Sequence, residues 1–179
     1  AVHAAWADAH LAPCLLEVVS LPGGWLMVVM EQLAGSWVPL ADLPPPQQAA
    51  ARQAAVQALE AAHRVPIPGY TRGGVHGDAR GINIMVCPAT SRQPAEATPA
   101  AGGSSSGQAA QWHVKFIDFD WAGEHGVTTY PAFMSHVIPW AEGAGDLRVM
   151  RQEHDVHLLQ QPLRAPAMMF YNWRQDVGP

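Results

Sequence analysis

A low-complexity segment, residues 88–111, divides the chain and limits the folds that it can adopt. The segment consists mainly of Pro, Ala, Thr, Ser, Gly and Gln, a composition that cannot contribute to a packed core. Apolar segments with strand composition flank it at Ile82–Val86 and Trp112–Phe119. Because an insertion at the tip of a hairpin costs little free energy, we predict that these strands pair and that 88–111 is a disordered surface insertion.

The other patterned segments predict a mixed α+β fold. Three prolines at 44–46 open the stretch Gln47–His63, which lacks Gly and Pro and repeats alanine at steps of three and four, as a helix does. Two apolar segments on either side of a Pro-Gly-Gly turn predict a hairpin. The remaining predicted elements are a helix end at Ala1–His10, hairpin strands at Leu15–Ser20 and Trp25–Glu31, a connection at Leu33–Leu43, and helices near Ala132–Trp140 and Leu147–Leu159.

Charge and hydropathy exclude two classes of partner. The chain of 179 residues has 10 basic and 15 acidic side chains and a formal net charge of -5, so it cannot hold nucleic acid by bulk charge. The longest strongly apolar run, Trp25–Met30, is far too short to span a bilayer, and no signal-peptide pattern is present. We expect one domain without nucleic-acid or membrane partners. An intracellular location, cytoplasmic or nuclear, is the default.

Two short segments carry residues suited to phosphate chemistry. Asp78 and Asn83 lie on a loop that leads into the first of the two apolar strands, and Asp118 lies at the end of the second. Pairing of these strands would bring Asn83 and Asp118 to the same end of a hairpin. Carboxylate and amide oxygens gathered there suit Mg²⁺, which also takes phosphate oxygens. Asp78 would then be placed to accept the proton of an attacking hydroxyl.

These motifs resemble the protein-kinase-like superfamily. The loop reads HGD, as in the aminoglycoside- and choline-kinase type, and the nearer likeness is to the Crinkler-like kinase-like proteins of fungi, oomycetes and algae. The residues that carry the resemblance are His76–Arg80, Asn83, Ile117–Gly123, Tyr130-Pro131 and His154-Asp155. Asp78 and Asp118 lie further apart than the family pattern has them, and the segment 88–111 accounts for the excess.

The resemblance implies roles for the motif residues. Asp78 would orient or deprotonate the acceptor hydroxyl, and Arg80 would contact the transferred phosphate. Asn83 and Asp118 would hold Mg²⁺. The implied cofactors are ATP and Mg²⁺, and the implied partner is a hydroxyl-bearing acceptor, either a protein or a small molecule.

Positions outside the loop follow from the same resemblance. Met30, Glu31 and Leu33 look like the hinge that meets adenine with main-chain groups. Asp155 would brace backbone amides of the catalytic loop from a late helix. His76 would pack and hydrogen-bond beneath that loop rather than catalyse.

The resemblance also divides the chain and indicates that it is truncated. Residues 1–33 would be a remnant of the N-terminal lobe β-sheet with the hinge, 34–160 a kinase-like C-terminal lobe that carries the insertion, and 161–179 a tail. The Gly-rich loop and strand lysine of a kinase have no counterpart, because the single lysine, Lys115, lies close to Asp118 on a late strand. Losing phosphate-clamping groups removes much of the catalysis, so we expect weak or no phosphotransfer.

Two alternatives remain open. A degenerate copy of a kinase would bind a partner without catalysis, as a pseudokinase module. His154 and His157 lie three residues apart with Asp155 between them, as in some metal-dependent phosphohydrolases. That class needs a further His or Asp set, and none has convincing metal spacing.

Overall fold

The computed structural model describes residues 1–89 and 112–162. Three α-helices and seven β-strands lie in these ranges, in a mixed α+β arrangement, as predicted. The helices are α1 (Val2–Asp8), α2 (Pro45–His63) and α3 (Gln152–Gln160). The strands are β1 (Leu15–Ser20), β2 (Leu26–Met30), β3 (Val38–Pro39), β4 (Gly74–Val75), β5 (Ile84–Pro88), β6 (Trp112–Phe116) and β7 (Gly123–Glu124).

The best-patterned elements form where local rules place them. Helix α2 has proline in its first turn, where the missing amide hydrogen is not needed. Its buried side chains, Ala51, Ala55, Leu59 and Ala62, form one face. Strands β1 and β2 pair antiparallel across the Pro-Gly-Gly turn. The predicted connection Leu33–Leu43 also contains β3 and a short 3-10 turn, Leu40–Asp42.

The predicted pairing across the low-complexity segment is confirmed. β5 and β6 are antiparallel, with Ile84 opposite Phe116 and Pro88 opposite Trp112, and β3 adds to the other edge of β5. Strand β5 is shifted by two residues from the predicted Ile82–Val86, because a 3-10 turn occupies Gly81–Asn83 and the strand continues to Pro88. Strand β6 begins as predicted and stops at Phe116 rather than Phe119. The predicted disorder of 88–111 lies outside the described residues, apart from its first two positions.

One core joins the first helix to the rest of the molecule. Trp6 of α1 packs edge-on against Phe116 and Phe119, and all three contribute to a cluster with α2 and the β3–β5–β6 sheet. A second, smaller cluster comprises Val75, Tyr130, Met134 and Met150. The loop after β4 contacts both clusters, because the His76 ring lies 6.1 Å from that of Phe116 and Gly77 lies against Met150.

The predictions for the late helices are partly wrong. No helix forms at Ala132–Trp140, because Phe133 has a left-handed backbone and the Met134 amide donates to Asp146 Oδ1 at 2.8 Å. The helix predicted at Leu147–Leu159 begins only at Gln152. Before it, Leu147 lies in a turn with a left-handed φ of 60°, and Val149 forms a bridge with Thr129.

The hairpin β1–β2 stands apart from the three-stranded sheet. Several of its apolar side chains are exposed, among them Leu16, Val18, Leu26 and Val28. None of the helices within the described ranges is long and apolar enough to cross a membrane.

Candidate active site

The loop between β4 and β5 carries the candidate site and is built from tight turns. The Arg80 amide donates to the Asp78 carbonyl at 2.8 Å, and the Asn83 amide donates to the Arg80 carbonyl at 2.8 Å. Gly77 has φ of 84°, a conformation that strains other residues. A Cβ atom there would lie 2.8 Å from the sulfur of Met150. Glycine is therefore required at this position for both conformation and space.

A buried carboxylate on α3 holds the start of this loop. Asp155 has no solvent exposure, and its oxygens accept hydrogen bonds from the His76 amide at 2.7 Å and the Gly77 amide at 2.9 Å. His63 Nε2, at the end of α2, lies 3.1 Å from Asp155 Oδ2. The bracing contact expected for Asp155 is thus confirmed, and the supporting histidine had no signal in the sequence.

His76 connects the loop to the end of β6. Its Nε2 donates to the Ile117 carbonyl at 2.9 Å, and its Nδ1 accepts from the Asp78 amide at 3.3 Å. Burial lowers the pKa of His76, which favours the neutral ring that this donor–acceptor pair requires. The expectation that His76 packs beneath the loop is confirmed.

Asp78, Arg80 and Asn83 contact one another directly. Both oxygens of the Asp78 carboxylate accept from the Arg80 guanidinium. Asn83 Nδ2 donates to the Asp78 carbonyl and to Oδ2, each at 3.0 Å. Asp78 is only 7% exposed, and the bond with it raises the pKa of Arg80. The carboxylate predicted to act on a hydroxyl is therefore occupied by the residue predicted to contact phosphate.

Asn83 and Asp118 lie at the same end of the β5–β6 hairpin, as predicted. The Ile117 amide donates to the Asn83 carbonyl at 3.0 Å, and Asp118 follows with a left-handed φ of 65°. This backbone turns the chain directly after the paired residues. Asp118 is exposed, and its carboxylate has no protein partner in the described part of the chain.

The donor set at this end fits a magnesium ion bound together with phosphate. Asn83 uses its amide nitrogen on Asp78, which leaves the oxygen Oδ1 for another ligand, and Asp118 adds a carboxylate. Within 1–89 and 112–162 there is no group of three His, Cys, Asp or Glu side chains that could hold a metal by itself. Mg²⁺ commonly takes one or two protein oxygens, several waters and substrate phosphates. We therefore expect the ion to depend on a phosphate-bearing ligand.

The residues expected to form the hinge lie at the end of β2. Met30 ends that strand, and the Glu31 amide donates to the Cys14 carbonyl at 2.9 Å. The Leu33 main chain bonds to no other backbone group in the described ranges. Lys115 forms an ion pair with the Glu31 carboxylate and lowers the pKa of Glu31. The single lysine thus ties the predicted hinge to β6, a contact for which the sequence offered no signal.

The predicted hinge and the predicted catalytic residues do not share one cavity. Glu31 and Leu33 line a cavity of about 780 Å³ together with Trp37, Trp112 and Lys115. Residues 76–83, Asp118 and Met30 do not contribute to its walls. Lys115 precedes Asp118 by three residues, which corresponds to about 10 Å of extended chain.

The histidines considered for a phosphohydrolase are used in the fold. His154 is buried, and its Nδ1 lies 3.1 Å from the Tyr130 hydroxyl. His157 Nε2 lies 3.1 Å from the Pro139 carbonyl and 2.9 Å from Gln161 Nε2. Neither belongs to a group with the composition of a metal site among the residues described, so nothing in the geometry favours that alternative.

No protein-family model, curated protein or solved structure matches this chain.

Proposed function

We propose that the protein is an ATP- and Mg²⁺-dependent phosphotransferase of the kinase-like type, which moves the γ-phosphate of ATP to a hydroxyl acceptor at a low rate. One observation carries the proposal. A buried carboxylate, Asp155, holds a loop on which Asp78 and Asn83 are in contact, and the β5–β6 pairing brings Asp118 to the same end. This arrangement supports the resemblance that the motifs have to a kinase-like fold.

Two oxygen side chains would bind the metal. In the proposed function Asn83 and Asp118 hold Mg²⁺, which would neutralise charge on the β- and γ-phosphates. The adenine would meet the main chain at Met30–Leu33, where the Leu33 backbone has no backbone partner among residues 1–89 and 112–162. Asp78 would orient the acceptor hydroxyl and take its proton.

Binding of the phosphates would change the partner of Arg80. In the protein alone, the Arg80 guanidinium forms an ion pair with the Asp78 carboxylate. Guanidinium groups pair equally well with phosphate oxygens, so the γ-phosphate would draw Arg80 away and free Asp78 for the acceptor. Asn83 would keep Asp78 in place during this exchange.

The low rate follows from the positive charges that are missing. Phosphoryl transfer depends on preorganised charge around the phosphates. Lys115 is committed to Glu31, and the cation in contact with the proposed site is Arg80, which pairs with Asp78. We therefore expect nucleotide binding to be retained more fully than turnover.

One observation favours binding without catalysis as a second candidate. Asp78 has both carboxylate oxygens bonded to Arg80 and a further bond from Asn83, and a carboxylate that is fully bonded is a poor base. A protein that kept this arrangement with ATP bound would be a pseudokinase module.

The test compares the melting temperature with and without Mg·ATP in wild type, Asp118→Asn and the control Asp120→Asn. Asp120 is also exposed and lies two residues away. A ligand at 100 times its Kd stabilises the folded state by about 2.7 kcal/mol, which gives a clear rise in Tm. We expect the rise in wild type and Asp120→Asn, its loss in Asp118→Asn, and little rise with ATP and EDTA.

A transfer assay then separates the two candidates. Release of labelled γ-phosphate to a small alcohol or to water, abolished by Asp78→Asn, is the result expected of the enzyme. An Mg·ATP-dependent rise in Tm with no transfer supports the binding module. If Mg·ATP raises the Tm of Asp118→Asn as much as that of wild type, Asp118 is not the metal ligand and the function built on that role is wrong.

A further inference from the structure

A groove beside Arg80 supplies an observation that the proposed function has not used. Its volume is about 510 Å³, within the range of small-molecule pockets. Arg80 contributes to its wall and is bonded to the Asp78 carboxylate. The groove therefore reaches to within one side chain of the proposed proton acceptor. Its apolar lining comprises Ile82, Val137, Ile138, Pro139, Leu158 and Pro162.

The chemistry of this lining is selective. Arg80 is the one charged residue among the described side chains that line the groove, and no acidic side chain joins them. In the protein alone its charge is paired with Asp78, so no free carboxylate is available there to a cationic ligand, and Gln161 is the other polar side chain of the lining. Polyamine sugars and choline need carboxylates or aromatic faces around their charge. The walls fit an uncharged aliphatic or alicyclic group instead.

Exposure of the apolar rim indicates that no side chain within residues 1–89 and 112–162 covers it. Val137 is 91% exposed and Ile82 is 46% exposed, although both are aliphatic. Covering them would remove apolar surface from water, and full burial of one such side chain is worth a tenfold or greater gain in affinity, at about 1.5–3 kcal/mol each. An apolar ligand would therefore gain affinity from both.

We infer that the groove formed by Ile82, Val137–Pro139, Leu158 and Pro162 binds the apolar body of an uncharged small-molecule alcohol and presents its hydroxyl to Asp78. This inference rests on the proposed phosphotransfer, because it names the acceptor of that same site. It differs from the acceptors of the aminoglycoside- and choline-kinase type, which are cations. The hydroxyl would enter where Arg80 leaves Asp78.

The test measures acceptor binding without nucleotide, so that it does not depend on the metal site. Methyl groups of Ile, Leu and Val in the full chain are labelled for NMR and titrated with cyclohexanol and with a ten-carbon monoterpene alcohol. Choline and kanamycin are the charged comparisons, and a blocked Ala-Ser-Leu peptide represents a protein acceptor. We expect saturable shifts at Ile82, Ile138 and Val137 with the two alcohols alone.

Two exposed positions provide variants that should fold. Val137→Asp and Ile82→Asn are each expected to weaken binding of the ten-carbon alcohol by at least about tenfold. The control is Val127→Asp, an exposed valine that does not line the groove, and it should bind like wild type. Retained binding in both groove variants would overturn the assignment.

Each other result also decides the question. Equal shifts with choline or kanamycin, or shifts with the peptide and not the alcohols, would overturn the acceptor class. Groove shifts that follow protein concentration without ligand would mean that a second copy fills the groove, which also overturns it. Alcohol binding without any Mg·ATP-dependent rise in Tm would support the groove and reject phosphotransfer. An Mg·ATP-dependent rise in Tm without alcohol binding would reject the groove assignment and leave the proposed phosphotransfer in place.

Discussion

Asp155→Asn is the substitution with the largest effect that the structure predicts. The carboxylate has no solvent exposure and accepts from the amides of His76 and Gly77, while His63 Nε2 contacts one of its oxygens. An asparagine has one oxygen and one amide group in the same space. The NH₂ group would face a backbone N–H, so at least one amide loses its acceptor.

The magnitude follows from these bonds. A hydrogen bond to a charged group contributes about 1.5–3 kcal/mol, and a buried donor left without an acceptor costs about 1–3 kcal/mol. Losing one such bond and stranding one amide gives about 2.5–6 kcal/mol, a range that includes the cost of breaking a buried ion pair. Because domains are stable by only about 5–15 kcal/mol, the variant should be close to unfolding.

Urea unfolding followed by tryptophan fluorescence would measure the loss. Glu153→Gln is the matched control, since Glu153 lies on the same helix and is exposed, and a surface change should stay within about 0.5 kcal/mol. A loss below about 1 kcal/mol for Asp155→Asn, with an unchanged m value, would refute the argument that this carboxylate holds the loop.

Three further predictions concern single contacts. An alanine in the left-handed conformation costs about 1–2 kcal/mol. Gly77→Ala should lower the free energy of unfolding by more than this, because its methyl group would meet the sulfur of Met150. Gly35 has a similar φ and open space around it, so Gly35→Ala should show only the backbone cost in the same urea assay. Glu31→Gln should lower the free energy of unfolding by no more than about 1 kcal/mol at neutral pH, since the pair with Lys115 is partly exposed. Because the pKa of Glu31 is lowered in the fold, the difference in stability between wild type and this variant should disappear as acid protonates the carboxyl. His76 has a lowered pKa in the fold, so the unfolded chain binds a proton at a higher pH than the native protein does. Stability should therefore fall as the pH drops below about 6.5. A wild-type Tm that stays constant from pH 7 to 5 would contradict this prediction.

Sequence reasoning succeeded where short-range rules determine the structure. Helix α2 follows from prolines at its start and alanine spacing, and the β1–β2 hairpin follows from its Pro-Gly-Gly turn. The predicted helix Ala132–Trp140 failed because long-range bonds take its backbone groups, such as the bond from the Met134 amide to Asp146. No local sequence pattern predicts a contact between residues so far apart in the chain.

At the candidate site, too, some contacts were predictable from the sequence and others were not. Strand pairing predicts that Asn83 and Asp118 meet, and the resemblance to kinase-like proteins places Asp155 beneath the loop. The bonds between Arg80 and Asp78 and between Lys115 and Glu31 depend on side-chain rotamers chosen after the fold forms. Residue types and spacing carry no information about that choice.

In the proposed function, the two ion pairs would have different effects on nucleotide binding and on catalysis. A guanidinium that leaves one carboxylate for phosphate exchanges one charge-assisted pair for another, so freeing Asp78 from Arg80 would cost little once ATP bound. Lys115 has no such exchange available, because it is held by Glu31 on the wall of a cavity that excludes the loop and Asp118. Lys115 thereby stays three residues, about 10 Å of extended chain, before Asp118. If the proposed function is correct, Mg·ATP should bind and transfer should be slow, and adding a cation near the phosphates should raise the transfer rate more than the affinity for ATP.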